Sequence, residues 1–459
     1  MKIKLALGGV LLSSLLYAES VNEALEGFND TPSKVVQQKS NVDMMDGFDD
    51  ETSSDKNSTQ NIEEDSDFVE GLTGKFTEQV AYSYHGKKPH DKFTMLKSSL
   101  FLDYEHKFEN GLRFKTNAKA YYDAIYDLRD NEHYSKDEKS AFRSEVELYD
   151  AYFEGSFSDN FDIKLGRQVI VWGRSDTIRI TDVLNPLDNR RPGMVDIEDL
   201  RLPVAMSKFD YFIDKWRITP ILIMEQRFSK LPPYGSAFNP LKNPHISHKR
   251  YNDVSYALSV GGEFNGWDVN FYTARIHDDK GYLSFSSQKP IFKHEKINMY
   301  GTAFNILSGS WLFKTEIAYF DGLKYTAIAD KEFGRTDALF GIEYKGIADT
   351  LISYDVSVRH IHSYDNKLLN EHIPLKEDTY QNAFRVTSDF MNASLTANYL
   401  LSLYGKKLDE GGFQRFWIKY ELGEGINMNM GVVDYIGGSK FFDTFKNSDM
   451  IFADITYSF

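Results

Sequence analysis

The chain has 459 residues, a net charge of −15 and no cysteine, which excludes a disulfide framework and cysteine metal sites. Only 41% of residues are hydrophobic, yet aromatics reach 15%, carried by 28 Tyr and 34 Phe against 5 Trp. With a mean hydropathy of −0.45, that composition suits alternating strands better than a helical membrane bundle.

Residues 1–18 read as a signal peptide. Lys2 and Lys4 form the charged start, LALGGVLLSSLLY the apolar stretch, and Ala18 the cleavage residue. Beyond it no run reaches 18 apolar residues, so no transmembrane helix is expected. The absence of thiols fits a chain that crosses an oxidising periplasm unfolded.

Residues 19–73 hold 15 acidic and 3 basic side chains, a balance of −12. With +2 in the signal peptide, residues 74–459 carry −5 of the total of −15. No basic patch remains for nucleic acid, which is not an expected partner. A segment this rich in Asp, Glu, Ser, Asn and Gln buries too little apolar surface to offset chain entropy, so disorder is expected over 19–73. It contains a degenerate repeat. Ala24-Leu25-Glu26-Gly27-Phe28-Asn29-Asp30 matches Met44-Met45-Asp46-Gly47-Phe48-Asp49-Asp50, with a weaker copy at Phe68-Val69-Glu70-Gly71-Leu72. The repeat reads either as a solvated spacer or as tandem docking motifs for a periplasmic or inner-membrane exporter partner, gaining affinity through effective concentration.

From residue 74 the pattern changes to segments of alternating apolar and polar residues. Ile352, Tyr354, Val356 and Val358 alternate with Ser353, Asp355, Ser357 and Arg359; Leu395, Ala397, Tyr399 and Leu401 alternate with Thr396 and Asn398. Phe384, Val386 and Phe390 alternate with Arg385, Thr387 and Asp389, and Ile426, Met428, Met430 and Val432 with Asn427 and Asn429. In lipid every backbone polar group must be paired within the protein, so such a sheet has to close, with an apolar exterior and a polar lumen. Short turn signals at 109–111, 158–160, 214–215, 265–266, 308–310, 346–348, 391–392 and 423–425 alternate with longer polar loops. The loops fall near 86–93, 126–142, 173–202, 229–250, 278–294, 322–334, 363–377, 404–412 and 437–447. The fold class expected is all-β: an antiparallel transmembrane barrel over 74–459. Eight turns and nine loops give about 18 strands; 16 is the alternative, because 204–213 and 295–307 are less regular. At that size side chains alone cannot fill the interior, so an aqueous or partly plugged lumen follows.

Trp216, Trp267 and Trp311 each follow a short turn, the position of a periplasmic aromatic girdle. In the last segment Ile451, Ala453, Ile455, Tyr457 and Phe459 share one face. This resembles the assembly signal of bacterial outer-membrane proteins. The resemblance implies insertion into the outer membrane by the general barrel-assembly machinery, with Tyr457 and Phe459 as signal residues and the lipid bilayer as surroundings.

Residues 161–202 are the least generic stretch. A strand over 161–172 carries Gly166, Arg167, Gln168, Trp172 and Gly173, followed by Arg174, then by Asn185 and Pro186, and by Pro192 and Gly193. The alternation slips at Gly166-Arg167, where a glycine marks either a bulge, which would turn Arg167 inward, or a close backbone approach. This "GRQ…WG.S…NP.D…RPG" pattern resembles a largely uncharacterised family of Gram-negative porin-like proteins known as a domain of unknown function. The acidic segment does not map onto that pattern. The resemblance implies a link to inner-membrane exporters of the resistance–nodulation–division type, and a role in moving a hydrophobic or amphipathic molecule to or across the outer membrane.

In porins the third outer loop commonly folds into the lumen, and 173–202 is the third and longest here. It sets Arg174, Arg179, Arg190, Arg191 and Arg201 against Asp176, Asp182, Asp188, Asp196, Glu198 and Asp199. Mixed charge of this kind can line a constriction, for which Arg167, Arg174, Arg179, Asp182, Asp188, Arg190 and Arg191 are the candidates, or form a salt-bridged plug, or sit on a plain surface loop. Other inward residues, among them Arg113, Lys115, Lys119, Arg359, Arg385, Arg415, Lys419, Asp103, Glu105, Glu263, Glu316, Glu343, Asp355 and Asp389, have no dominant sign. Neither an anion-selective nor a cation-selective pore is therefore argued.

No phosphate-binding glycine loop, His-Glu-x-x-His helix or Gly-x-Ser-x-Gly elbow is found. The expectation is a non-enzymatic protein without cofactor. His360 and His362, with His372 nearby, share a strand face but read as a loop mouth rather than a metal site. Transport stands as the leading function. A non-conducting docking barrel that recruits periplasmic partners through its acidic segment is the alternative, and an outer-membrane hydrolase, for which no Ser–His pair stands out, is third.

Overall fold

The computed structural model describes residues 70–194, 200–285 and 289–459. The signal peptide, two repeat copies and the first two residues of the third lie outside the described residues, as do Asp196, Glu198 and Asp199.

The barrel opens with β1 (Leu72–Ser83), β2 (Lys92–Lys107), β3 (Arg113–Asp123), β4 (Ser144–Ser158), β5 (Phe161–Gln168) and β6 (Val204–Ile213). It continues with β7 (Trp216–Ile223), β8 (Ser255–Phe264), β9 (Trp267–His277), β10 (Lys296–Ser308), β11 (Trp311–Leu323) and β12 (Phe333–Ile347). The last six are β13 (Thr350–Ile361), β14 (Asp378–Phe390), β15 (Leu395–Tyr404), β16 (Gly412–Gly423), β17 (Ile426–Ile436) and β18 (Met450–Ser458). Each strand pairs antiparallel with its chain neighbours, and β1 pairs with β18 from Lys75↔Ser458 to Ser83↔Met450. The sheet is therefore a closed 18-strand antiparallel barrel. The two less regular segments are full strands, β6 and β10, so the 16-strand alternative is set aside.

Alternation produces the two faces. Ser353, Asp355, Ser357 and Arg359 of β13 are buried toward the interior, while Tyr354 is exposed on the outside. Phe340 on β12, Tyr300 on β10 and Phe271 on β9 are likewise about half exposed on the outer face. Trp216, Trp267 and Trp311 are the first residues of β7, β9 and β11, all at the short-turn end. Trp267 stacks on Phe264 with ring centres 4.1 Å apart, and Trp311 lies 4.3 Å from Tyr344. The short turn expected at 346–348 sits slightly later: Gly346 and Ile347 still belong to β12, where the pairing with β13 skips a residue, and Asp349 supplies the positive φ of the turn.

At the seam, Gly74 N donates to Phe459 O at 2.8 Å and Phe459 N to Gly74 O at 2.9 Å. The ring of Phe459 lies over Gly74, where a Cβ would come within 2.4 Å of it. The terminal aromatic thus closes the first strand against the last.

Near Gly166 the structure decides between the two readings. Pairing of β5 with β4 and with β6 runs in continuous register through Gly166, so there is no bulge at this position. Gly166 instead takes φ +131°, and a Cβ there would lie 2.2 Å from Ala151 O, so the glycine serves a close backbone approach. The strand expected to reach residue 172 stops at Gln168. Beyond it the backbone amides are taken by loop side chains: Ile170 N donates to Asn185 Oδ1 at 2.8 Å and Trp172 N to Asp182 Oδ1 at 3.4 Å.

Candidate functional site

The described parts of the loop between β5 and β6, residues 169–194 and 200–203, run through the barrel interior. Its two arms are tied together by Asn185. The Asn185 Nδ2 donates to Leu202 O at 2.9 Å and to Gln168 O at 3.3 Å, while its Oδ1 accepts from Ile170. Pro186 O accepts from Leu202 N at 2.8 Å. Asp182 sits between Arg179, at 3.1 Å, and Arg201, at 3.0 Å. Burial alone would raise the Asp182 carboxyl, but the two guanidinium groups outweigh it and hold it below the ordinary carboxylate range. Gln168 is fully buried and its Nε2 donates to Met206 O at 3.1 Å.

The tip of the loop docks on the wall formed by β9, β11, β12 and β13, four to eight strands round the barrel from the strand it leaves. Glu316 on β11 accepts hydrogen bonds from Arg174 N at 2.6 Å, Ser175 N at 2.8 Å, Thr181 N at 3.2 Å and Thr181 Oγ1 at 2.8 Å. Asp355 on β13 accepts from Ser175 Oγ at 2.8 Å and Thr177 Oγ1 at 2.5 Å. Arg174 pairs with Asp268 on β9 at 2.8 Å. Lys314 on β11 pairs with Asp176 at 3.1 Å and also with Glu343 on β12. Trp172 stacks on Tyr272 of β9, ring centres 4.7 Å apart. Gly173, with φ +93°, lets the backbone pass over Glu316; a Cβ there would stand 2.9 Å from the carboxylate.

The other part of the loop holds the near wall. Arg190 pairs with Asp188 at 2.5 Å and with Glu145 on β4 at 2.6 Å. Its partners keep the guanidinium firmly charged despite burial, and Arg190 in turn draws the buried Asp188 carboxyl below its ordinary range. Arg191 reaches Asp123 at 3.2 Å and lies 4.4 Å from the Phe142 ring of the short helix Lys136–Phe142. Pro192 O accepts from Tyr435 OH of β17 at 2.5 Å, and Gly193 supplies a positive φ of 75°. Arg190 and Arg191, with Lys97 and Lys119 from β2 and β3, face Glu145 and Glu147 of β4 across an open cleft of about 710 Å³. Arg167 lies apart from this crossing. At the outer end of β5 its Nε donates to Pro203 O at 3.2 Å, and Glu225 and Glu147 lie 3.6 and 3.9 Å away.

Two other loops complete the plug. Lys230 N donates to Leu187 O and Asn189 N to Lys230 O, both at 2.8 Å, so the loop over 224–254 pairs with the crossing loop. Its Phe238 packs with Tyr435 and with Phe445 of the helix Lys440–Phe445. Together Trp172, Ile178, Ile180, Leu184, Phe238 and Phe445 join wall residues such as Leu400, Phe413 and Trp417 in one buried cluster. The expectation of a partly plugged lumen is met here by loops rather than by wall side chains. Away from the plug, on β2 and β3, the wall is wetter. Arg113, Glu105 and Asp103 keep side-chain exposures of 21–27%, against 1% for Lys314 under the plug.

The sequence marks seven candidates, six of them in the loop and Arg167 on β5, but not where each docks. The anchors Glu316, Asp355, Lys314, Tyr272 and Tyr435 lie far along the chain, and their only sequence signal was an inward position on an alternating strand. His360 and His362 stay side by side, ring centres 4.8 Å apart, but each has its own partner: His360 Nδ1 bonds Asp378 at 2.8 Å, His362 Nε2 bonds Thr336 at 2.7 Å, and among the described residues no group of three potential metal ligands is present.

The barrel is similar to OccAB3 of Acinetobacter baumannii, with a TM-score of 0.50 and 12% identity over 84% of this chain and 98% of that one. The outer membrane protein opdK of Pseudomonas aeruginosa gives a TM-score of 0.49 and 10% identity, covering 85% of this chain and 100% of that one. At such identities the likeness is one of fold. No curated protein matches the chain. A family model described as a protein of unknown function, DUF1302, matches residues 45–459. The match begins inside the second acidic repeat and so takes in part of the acidic segment. The chain is a member of the DUF1302 family.

Proposed function

We propose that this protein is an outer-membrane channel whose lumen is closed by the 169–203 loop, and that it forms part of a route moving a hydrophobic or amphipathic molecule to or across the outer membrane. The observation that carries the reading is the way the loop is held. Its docked tip rests on Glu316, Asp355 and Lys314 through hydrogen bonds and ion pairs. Directional polar contacts of this kind have a defined undocked alternative, because water and other partners can replace each of them. The aromatic contact of Trp172 with Tyr272 is the main apolar element of the tip. Arg190 and Arg191 border the cleft left beside the loop and are the constriction residues of this reading.

The plugged interior favours a second reading: a non-conducting barrel that recruits periplasmic partners through residues 19–73. The two differ in planar-bilayer conductance. Purified barrel should pass current in discrete steps that grow when residues 173–202 are removed, and Arg190→Gln with Arg191→Gln should change the step size. A barrel that assembles yet conducts in neither form would sink the channel reading. Deleting residues 19–66 separately tests partner capture, which the second reading requires that segment to provide.

A further inference from the structure

One part of the inner wall gathers hydrogen-bond donors without acceptors. Arg385 on β14 is 2% exposed, and none of its three guanidinium nitrogens has a hydrogen-bond partner. It lies beside Leu400 of β15; two residues along, Asn398 of β15 lies beside Trp417 of β16. Asn398 Nδ2 and Trp417 Nε1 are also buried without an acceptor. Thr387 Oγ1 donates to Asn398 Oδ1 at 2.9 Å, and the amide NH₂ is the unpartnered end. The Arg385 guanidinium carbon is 5.9 Å from the centre of the Trp417 ring, and that of Arg415 is 4.2 Å from it. Asp355, on the neighbouring strand, spends its Oδ2 on Ser175 and Thr177 of the plug.

A guanidinium cannot shed its proton, and an unpaired buried charge is among the costliest features a protein interior can hold. The donors present are complementary to an oxyanion. The planar fork of arginine matches two oxygens of one group, and the amide and indole N–H groups can serve the same ion. We propose that Arg385, Asn398 and Trp417 form an oxyanion site on the lumen wall that takes the carboxylate or phosphate head of the transported molecule. This deepens the channel reading and rests on it for the identity of the cargo. The guanidinium is buried in the state in which the tip of the plug rests on neighbouring Asp355. An anion that binds only when the plug lifts favours the lifted state by its differential affinity.

The test uses the purified full-length barrel, with folding checked by heat-modifiable mobility. Inorganic phosphate, octanoate and octanol are titrated while tryptophan fluorescence is followed. Wild type should bind octanoate saturably. Arg385→Met should weaken that binding at least tenfold, Arg385→Lys should weaken it less, and Trp417→Phe should remove the fluorescence response. Phosphate binding as tightly as octanoate would assign the site to free anions, and tighter octanoate binding would assign it to an amphipathic head; both support an oxyanion site. Octanol binding as well as octanoate, Arg385→Met binding like wild type, or no anion binding by wild type would overturn it. If Arg385→Met does not assemble, Asn398→Ala, which keeps Trp417 as the reporter, gives the same comparison. A barrel that binds octanoate through Arg385 but passes no current would refute the channel and leave the site standing.

Discussion

Thr181 and Glu316 meet through two hydrogen bonds, from the threonine amide at 3.2 Å and its hydroxyl at 2.8 Å, although 135 residues separate them in the chain. Arg174 N and Ser175 N complete the set around the same carboxylate. Glu316→Gln replaces one acceptor oxygen by a donor and removes the charge. Hydrogen bonds to charged groups contribute about 1.5–3 kcal/mol. The substitution should therefore raise the undocked fraction of the loop on the order of thirtyfold, at about 1.4 kcal/mol per factor of ten. Trypsin cleavage of the native barrel after Arg174 and Arg179 should accelerate accordingly; an unchanged rate would show that the latch lies elsewhere.

Gly173 gives a second handle on the same contact. Its φ of +93° disfavours any side chain, and a methyl group would meet the Glu316 carboxylate at 2.9 Å. Gly173→Ala should cost about 1–3 kcal/mol in loop docking. Amide exchange at residues 173–182 would speed up while exchange in the strands stays as it was. Uniform acceleration across the barrel would mean that the glycine supports global assembly instead.

Asp278, just beyond β9, predicts a pH dependence. Burial raises its carboxyl to about 6, against the opposing pull of Lys280 and Arg335. A carboxyl raised above its unfolded value favours the neutral folded form. Its contribution is complete below the unfolded pKa near 4 and is lost as pH rises through 6, a change of at most about 3 kcal/mol. Asp182 behaves oppositely: its depressed carboxyl keeps its contribution above the unfolded value and loses it only in stronger acid. Between pH 4 and 7 the difference in denaturation midpoint between wild type and Asp278→Asn should therefore shift against wild type as pH rises. A constant difference would exclude Asp278 as the titrating group.

The seam offers a test of assembly. Phe459 closes the barrel through two backbone hydrogen bonds to Gly74 and by laying its ring over that glycine. Gly74→Val should displace the ring, and deletion of Phe459 should remove both bonds, each with a net contribution of about 1 kcal/mol. Both variants should lower the fraction of chain that reaches the heat-modifiable folded form, the deletion more severely. Equal folding yields for all three proteins would leave the terminal aromatic without a closing role.

The sequence by itself determined the barrel. A side-chain period of two, eight short turns and nine long loops gave the strand number, the inward and outward faces and the aromatic rim. Each follows from local backbone geometry and from the demand that a sheet in lipid leave no edge unpaired. Only the tertiary structure decided what fills the barrel. Alternation placed Glu316, Asp355 and Arg385 on the inner wall, and the loop's arginines and carboxylates were visible, but no local rule pairs a loop with a wall it reaches only by crossing the lumen. The slip at Gly166 shows the same limit at short range. A glycine within a strand is compatible with a bulge or with a close approach, and Ala151 on the adjacent strand selects the second.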